Sequence, residues 1–300
     1  MLKKNLTSFF EEFLHKESLF ADRSALSFSY RPEIISHRDN EISKIAGVLA
    51  PALKQEKPSN LFVYGNTGTG KTLTIKHVAD HMEQVAKSKN IPLKLVYVNC
   101  KLKRVADTEY RLIAQLSSFF GKSTPPTGLP TDEVYKIFYN AVEEIGGIIL
   151  LVLDEIDQLM KRAGDNVLYN LTRINEELKN SQISLIGISN DTTFIENVDI
   201  RVKSSLSEED ILFSPYNAIE IQSILRGRAA RAFREGVVEH GVIEKCAAYV
   251  AREHGDARKA IELLRVAGEL AERIKSKTIT TEHLDEAEEK LEKEIGRAHV

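Results

Sequence analysis

"GNTGTGKT", residues 65 to 72, lies between a short apolar run, "LFVY" at 61 to 64, and a helical pattern over 71 to 88. A strand before and a helix after are the context in which G-x-x-x-x-G-K-[ST] reads as a phosphate-binding loop and not as a chance match. Gly65, Gly68 and Gly70 let the backbone curl so that successive N–H groups point into one concavity, and the helix that follows adds the positive end of its dipole. Lys71 would neutralise the β- and γ-phosphates and Thr72 would ligate Mg²⁺, with Asn66, Thr67, Thr69 and Leu73 completing the contact set. The ligands expected on this reading are ATP or ADP with Mg²⁺.

Four further β-like runs follow: "LKLVYVN" at 93 to 99, "GIILLVLD" at 147 to 154, "SLIGIS" at 184 to 189 and "ILF" at 211 to 213. The middle ones are continuously apolar, as strands covered on both faces of a parallel sheet are. Helical patterns over 107 to 119, 131 to 145 and 165 to 179 separate them, so the first part of the chain is an α/β domain with right-handed crossovers. After "FSPYN", residues 213 to 217, strands stop and the pattern is helical. Asn217 with Glu220 makes a capping-box start, and Asp256 and Thr281 are caps for later helices. The strongly acidic last helix reads as a solvated face.

"ILLVLDEID", residues 149 to 157, sets two acids where a buried strand ends, at the carboxyl edge where open α/β sheets bind ligands. Asp154 would hold Mg²⁺ through water and Glu155 would polarise the attacking water as general base. The alternative is that both acids cap the helix starting near Ile156. Asn190 ends the next strand, in position to orient that water or touch the γ-phosphate; alone, an asparagine there is more often a turn residue. In "REHGDARKAIELLRVAGE", residues 252 to 269, Arg258 stands in the first turn of a helix, the end that disfavours cations, and calls for solvent or an anion before it.

Composition bounds the rest. A chain of 300 residues, 42% hydrophobic and 28% charged, is ordinary globular material for two domains. Cys100 and Cys246 are far apart, which suggests neither a disulfide framework nor a zinc site and fits a reducing compartment. Acids interrupt every apolar run near the N-terminus, and no stretch is long enough to span a membrane. The net charge of −3 argues against coating nucleic acid by bulk electrostatics, though a local DNA-binding surface remains open.

With a phosphate loop, a "DE" pair, a strand-end asparagine and a helical region carrying "GDARKA", the sequence resembles the AAA+ ATPases. "SHRDNEI", "RVKSSLSEE", "FSPYNAIEI" and "AAYVAREHGDARKAIELLRVAGE" further resemble the archaeal DNA replication initiators of the origin-recognition-complex type, over about residues 18 to 290. The resemblance implies an AAA+ core with a five-stranded parallel sheet over residues 21 to 215, after an N-terminal arm (1 to 20), and a small all-α lid over 216 to 295. It implies that Arg258 reaches from the lid to the γ-phosphate, that Tyr216 and Arg228 contact nucleotide, and that Ile34 and Ile35 in "RPEIISHR" wall the adenine. Arg201 resembles an arginine finger that completes a neighbour's site in trans; an ion pair is the alternative.

For DNA, the resemblance implies an insertion over 104 to 131, with Lys122, Thr124 and Thr127 as contacts unless that loop is simply solvated. The family's winged helix does not follow within these residues, which leaves a truncated chain or a naturally short paralogue. The partners implied are double-stranded origin DNA, the replicative helicase and other initiator subunits, with no membrane, in the cytoplasm at the nucleoid. Without a winged helix, an AAA+ partner that remodels or loads proteins without reading DNA is the second reading.

Overall fold

The computed structural model describes residues 17–101, 108–125, 127–206 and 208–298. Residues 1–16 of the expected arm and 104–107 and 126 of the expected insertion lie outside them. Strands β1 (Leu61–Tyr64), β2 (Leu93–Asn99), β3 (Gly147–Asp154), β4 (Ser181–Ser189) and β5 (Glu209–Leu212) form one sheet in the order β2-β3-β4-β1-β5. Every pairing is parallel. Along β3, Ile148, Leu150 and Val152 enter the core on one face while Ile149, Leu151 and Leu153 enter the core on the other. Burial on both sides is why that run carries no polar alternation.

Helices α1 (Asp39–Leu49) and α2 (Lys71–Lys89) cover the first face through Ile45, Leu49, Ile75 and Val78. The second is covered by α3 (Glu109–Phe119), α4 (Thr131–Glu143), α5 (Ile156–Ala163), α6 (Asn166–Arg173) and α7 (Ile200–Leu206). The helical pattern over 165 to 179 is shorter than expected: α6 gives way to a 3₁₀ turn at Ile174–Glu176. There the Asn175 amide donates to the Ile183 carbonyl at 2.8 Å and accepts from its N–H at 2.7 Å. It thus pairs the start of β4 where β1, in register only from Leu61 and Ile186 onward, has not yet begun.

Residues 37–215 form one compact unit, and residues 17–36 with 216–298 form another. The second holds α8 (Ala218–Ala232), α9 (Val242–Glu253), α10 (Ala257–Arg273) and α11 (Thr281–Ala298). Asn217 makes the full capping box, its Oδ1 accepting from Ile219 and Glu220 while Glu220 Oε2 accepts from the Asn217 N–H. Asp256 caps α10 by accepting from the Arg258 and Lys259 N–H groups. Thr281 is not a cap: it is the first residue of α11, and the local hydroxyl contact belongs to Thr280, whose Oγ1 lies 3.0 Å from His283 Nδ1.

The expected boundary at residue 21 also shifts, because residues 21–36 pack with the helical unit and not with the sheet. Ala21 and Asp22 both donate to the Ala232 carbonyl, Leu19 N donates to Glu272, and the Phe20 and Phe233 rings lie 4.7 Å apart. None of these partners is near in sequence, so no local pattern announces them. A Cβ at Gly268 would stand 2.8 Å from ring carbons of both Phe20 and Phe233. Alanine in a helix interior gains about 0.5–1 kcal/mol over glycine, but overpacking costs about 1–3 kcal/mol. Gly268→Ala is therefore expected to lower the thermal unfolding midpoint of this unit. A raised midpoint would mean that the rings simply move aside.

Candidate nucleotide-binding site

The sheet register brings four chain segments to one edge. Tyr64 pairs with Ser189 and with Leu212, and Asp154 pairs with Ile188 and with Asn99. The residues that follow, Gly65, Asn190, Phe213 and Glu155, therefore leave the sheet together at its carboxyl ends. The strand order reverses beside β1, which is where doubly wound sheets open a crevice for ligands.

Gly65, Gly68 and Gly70 take φ values of 146°, 68° and 94°. At Gly65 a Cβ would come within 2.3 Å of the Phe213 carbonyl oxygen, so this first turn admits no side chain. Gly70 then occupies the N-cap of α2. The buried Lys71 ammonium donates to the carbonyls of Gly65 and Asn66, both at 2.7 Å, which holds its charge within the curl of the loop. Thr69 is wholly buried, its hydroxyl donating to the Asn66 carbonyl at 2.9 Å.

Opposite the loop, Asp154 accepts three hydrogen bonds. Its Oδ2 takes the Thr72 hydroxyl at 2.9 Å and the Tyr97 hydroxyl at 2.5 Å, and its Oδ1 takes the Glu155 N–H at 3.0 Å. Tyr97 was not foreseen from the sequence. It lies two residues before Asn99, the pair of Asp154, and so shares its face of the sheet. Burial first, and the nearby Asp154 carboxylate second, raise the Tyr97 pKa far above that of an ordinary phenol, so it stays a donor at any working pH. The Lys76 ammonium sits over its ring at 3.7 Å.

The capping alternative for the acid pair is met in position but not in hydrogen bonding. Glu155 stands at the N-cap of α5 but makes no side-chain cap bond, and it adopts φ 55°, a left-handed conformation. Lys101 Nζ lies 3.5 Å from its Oε2. Asp157 of the same motif is buried and accepts from the Ser189 hydroxyl at 3.1 Å, which ties β3's end to the residue before Asn190. Asn190 itself is half-buried at the end of β4.

These donors fit Mg²⁺. A hydroxyl and a carboxylate are hard oxygen ligands, and no cluster of three or more His, Cys, Asp or Glu side chains suited to a metal occurs among the described residues. Such a place suits an ion that keeps several waters and takes the rest of its shell from phosphate oxygens, as Mg²⁺ does.

Other expected residues fall elsewhere. Ile34, Ile35, Tyr216, Arg228 and Arg258 all belong to the helical unit. Ile35 and Tyr216 are buried, whereas Ile34 is 79% exposed. Arg228 donates to the Ala25 carbonyl at 3.0 Å and lies over the Tyr30 ring, and burial lowers its pKa. Arg258 is exposed in the first turn of α10. Arg201 is exposed on α7, bonded through Nε and an Nη atom to Asp199, whose pKa its guanidinium holds down at about 2. The ion-pair alternative thus describes its contacts within one chain.

The expected insertion is in good part core. Leu112, Ile113 and Leu116 of α3 are fully buried, and the exposed stretch shrinks to the loop before α4. Within it Lys122 pairs with Glu144 at 2.8 Å, Thr124 Oγ1 lies 3.4 Å from the Ala114 carbonyl, and Thr127 is exposed. A cation already paired is a poorer phosphate contact than the sequence suggested.

Tyr97→Phe removes a donor from a buried carboxylate, a loss of about 1–3 kcal/mol. The expected outcome is a lower unfolding midpoint together with weaker Mg²⁺-dependent nucleotide binding by calorimetry; no change in either would show that the bond is dispensable.

That sheet order, with the loop on β1 and the acids at the end of β3 two strands away, makes this an AAA+ P-loop ATPase, and residues 54–191 match the AAA domain. Residues 222–289 match the Cdc6 AAA+ ATPase-type lid domain. An ORC1-type DNA replication protein of Thermococcus kodakarensis is 46% identical over 293 residues, and one of Pyrococcus abyssi 48% over 295; the alignments cover 96% and 97% of this chain and 70% of each relative. The chain belongs to the ORC1-type DNA replication proteins. The solved structure of the Aeropyrum pernix ORC1 protein in complex with DNA is similar to it, with a TM-score of 0.84 and 43% identity over 92% of this chain and 71% of that one. No helix of the described residues is long and apolar enough to cross a membrane.

Proposed function

We propose that this chain is an ATP-dependent replication initiator that binds double-stranded origin DNA and promotes loading of the replicative helicase, with its ATP or ADP state as the switch. The observation that carries the nucleotide part is the convergence of the 65–72 loop, Thr72, Asp154, Glu155 and Asn190 at one sheet edge. The loop amides and Lys71 bind the phosphates. Thr72 would ligate Mg²⁺ and Asp154 would hold it through water, and the ion would screen phosphate charge. Glu155 draws the proton from the attacking water, and Asn190 orients that water. Hydrolysis is slow, since the working signal is which nucleotide is bound.

The other roles follow the family. Arg258 meets the γ-phosphate, its helix end and its own charge jointly favouring an anion. Ile34, Ile35, Tyr216 and Arg228 serve the base and its surroundings, and Arg201 serves a neighbouring initiator subunit in trans. The lid spans about residues 216 to 295. The place of action is the nucleoid, in the cytoplasm. Arg258→Ala is expected to reduce the preference for ATP over ADP more than it weakens ADP binding; an unchanged ratio by competition titration returns that residue to the solvent.

The DNA part is supported by likeness to the DNA-bound Aeropyrum protein and is tested by fluorescence anisotropy with origin repeats against scrambled duplex at several salt concentrations. Stronger binding to the repeats is expected, with a salt slope of about −0.9 per phosphate contact. Equal affinity for both duplexes would remove origin specificity. A second reading, an AAA+ loader acting on proteins without DNA readout, is favoured by the Lys122–Glu144 pair and the net charge of −3. Tight duplex binding by the chain alone excludes it.

A further inference from the structure

We infer that Arg38 is a positioning residue that sets the phosphate loop and ties it to Ser214, so that occupancy of the loop by a nucleoside triphosphate is felt at the segment leading into the helical unit. The inference rests on reading the loop as a nucleotide site. Its sequence signal lies in "SHRDNEI", where the residue at the start of α1 is an arginine.

That placement is locally unfavourable. Arg38 occupies the N-cap of α1, where side-chain acceptors such as Ser, Thr, Asp and Asn are preferred and where the helix end repels a cation. The residue before it, His37, adopts φ 62°, a conformation that side-chain-bearing residues seldom take. The arginine is 4% exposed, and a buried charge persists only where it is held by partners. Local preference and solvation both oppose an arginine here, so its tertiary contacts explain why it is tolerated.

Those contacts run in three directions. Nε donates to the Thr69 carbonyl at 2.9 Å, one Nη donates to the Ser214 carbonyl at 2.7 Å, and the other meets Glu41 Oε1 at 3.1 Å. The guanidinium also lies 5.3 Å from the centre of the Phe213 ring, next to Ser214. In a planar trans peptide the carbonyl and the following N–H point opposite ways. With the Thr69 oxygen turned to Arg38, the Gly70 N–H faces away from it, the orientation that a phosphate cradle requires of this peptide. Phe213 O is also the atom that forbids a side chain at Gly65, so the 213–214 segment bears on the loop at both ends. Ser214 lies two residues before Tyr216, where the helical unit resumes. A loop peptide that shifts on meeting a γ-phosphate moves one arm of a rigid fork whose other arm grips this segment. Lysine keeps the charge but has no such fork.

The experiment compares the full chain with Arg38→Lys, Arg38→Gln and Glu41→Gln. It measures ATP and ADP affinity by calorimetry with Mg²⁺, the unfolding midpoint, and hydrogen exchange of peptides covering 65–72 and 212–217 with and without ATP. Arg38→Lys is expected to fold, to bind ATP about tenfold more weakly, and to keep ATP-dependent protection at 65–72 while losing it at 212–217. Arg38→Gln should lose both more completely, and Glu41→Gln, which spares the two carbonyl contacts, should keep both. ATP-dependent protection at 212–217 in Arg38→Lys equal to wild type overturns the inference. An unfolding midpoint that falls in Arg38→Lys as far as in Arg38→Gln, with ATP affinity lost to the same degree in both, overturns it too, since that marks a merely structural residue. A wild type that binds no ATP overturns the reading of the loop itself and this inference with it.

Discussion

Lys71→Ala is expected to weaken ATP binding by about a hundredfold or more, the equivalent of losing two charge-assisted hydrogen bonds to phosphate. The fold should survive. Lys71 is 4% exposed and its ammonium is held by two loop carbonyls, so removing it takes this donor from Gly65 O and leaves Asn66 O with the Thr69 hydroxyl, while relieving the cost of a buried cation. These effects oppose each other, whereas the loss of binding has no such offset. Ligand-induced stabilisation separates them cleanly. At a nucleotide concentration of about 100 times Kd the wild type gains about 2.7 kcal/mol, and the variant at the same concentration should gain less than about a quarter of that. A midpoint shift with ATP equal to that of the wild type would mean that Lys71 does not face phosphate.

How far the site could be read from sequence follows from how local its causes are. The loop, Asp154, Glu155 and Asn190 were legible because a short apolar run, its end and the following residue specify a sheet edge without knowledge of the neighbours. β1, β2 and β3 end where their apolar runs end for the same reason. β4 starts at Ser181, three residues earlier than its apolar run, because Gly147 pairs with Ser181 and the partner strand imposes a length that the polar pair Ser181–Gln182 conceals. β5 begins with exposed Glu209 and Asp210 at the sheet's edge, where burial leaves no signature.

Tyr97 and Arg38 are a different case. The first depends on the register of β2 against β3, the second on chain segments 31 and 176 residues away. Periodicity carries neither. Arg38 did leave a trace, a cation at the wrong end of a helix, which is the same anomaly that singled out Arg258. In one the offset is found in two backbone carbonyls and a carboxylate, whereas in the other an anion from outside the chain is proposed.

Glu155→Gln is expected to lower phosphate release in single-turnover measurements by about 10²–10⁴-fold, the usual worth of a positioned general base, while leaving ATP affinity within about threefold. The split follows from where the residue sits. Glu155 begins just past Asp154 at φ 55°, and its side chain makes no capping bond that glutamine would lose. A non-glycine residue held in this region costs about 1–3 kcal/mol. The strain turns the chain sharply after β3, so Asp154 stays inside the Thr72–Tyr97 network while the next carboxylate, 20% exposed, leaves it. Two adjacent acids are thereby assigned different work: one is immobilised by three donors for the metal and the other is left accessible to water. Asp154→Asn is the contrasting variant, since an amide cannot replace a carboxylate that accepts from Thr72, Tyr97 and the Glu155 N–H without turning its NH₂ group toward a donor. It should lose Mg²⁺-dependent nucleotide affinity as well as turnover. If Glu155→Gln lost affinity to the same degree as Asp154→Asn, or turned over at the wild-type rate, the division of labour between the two acids would be wrong.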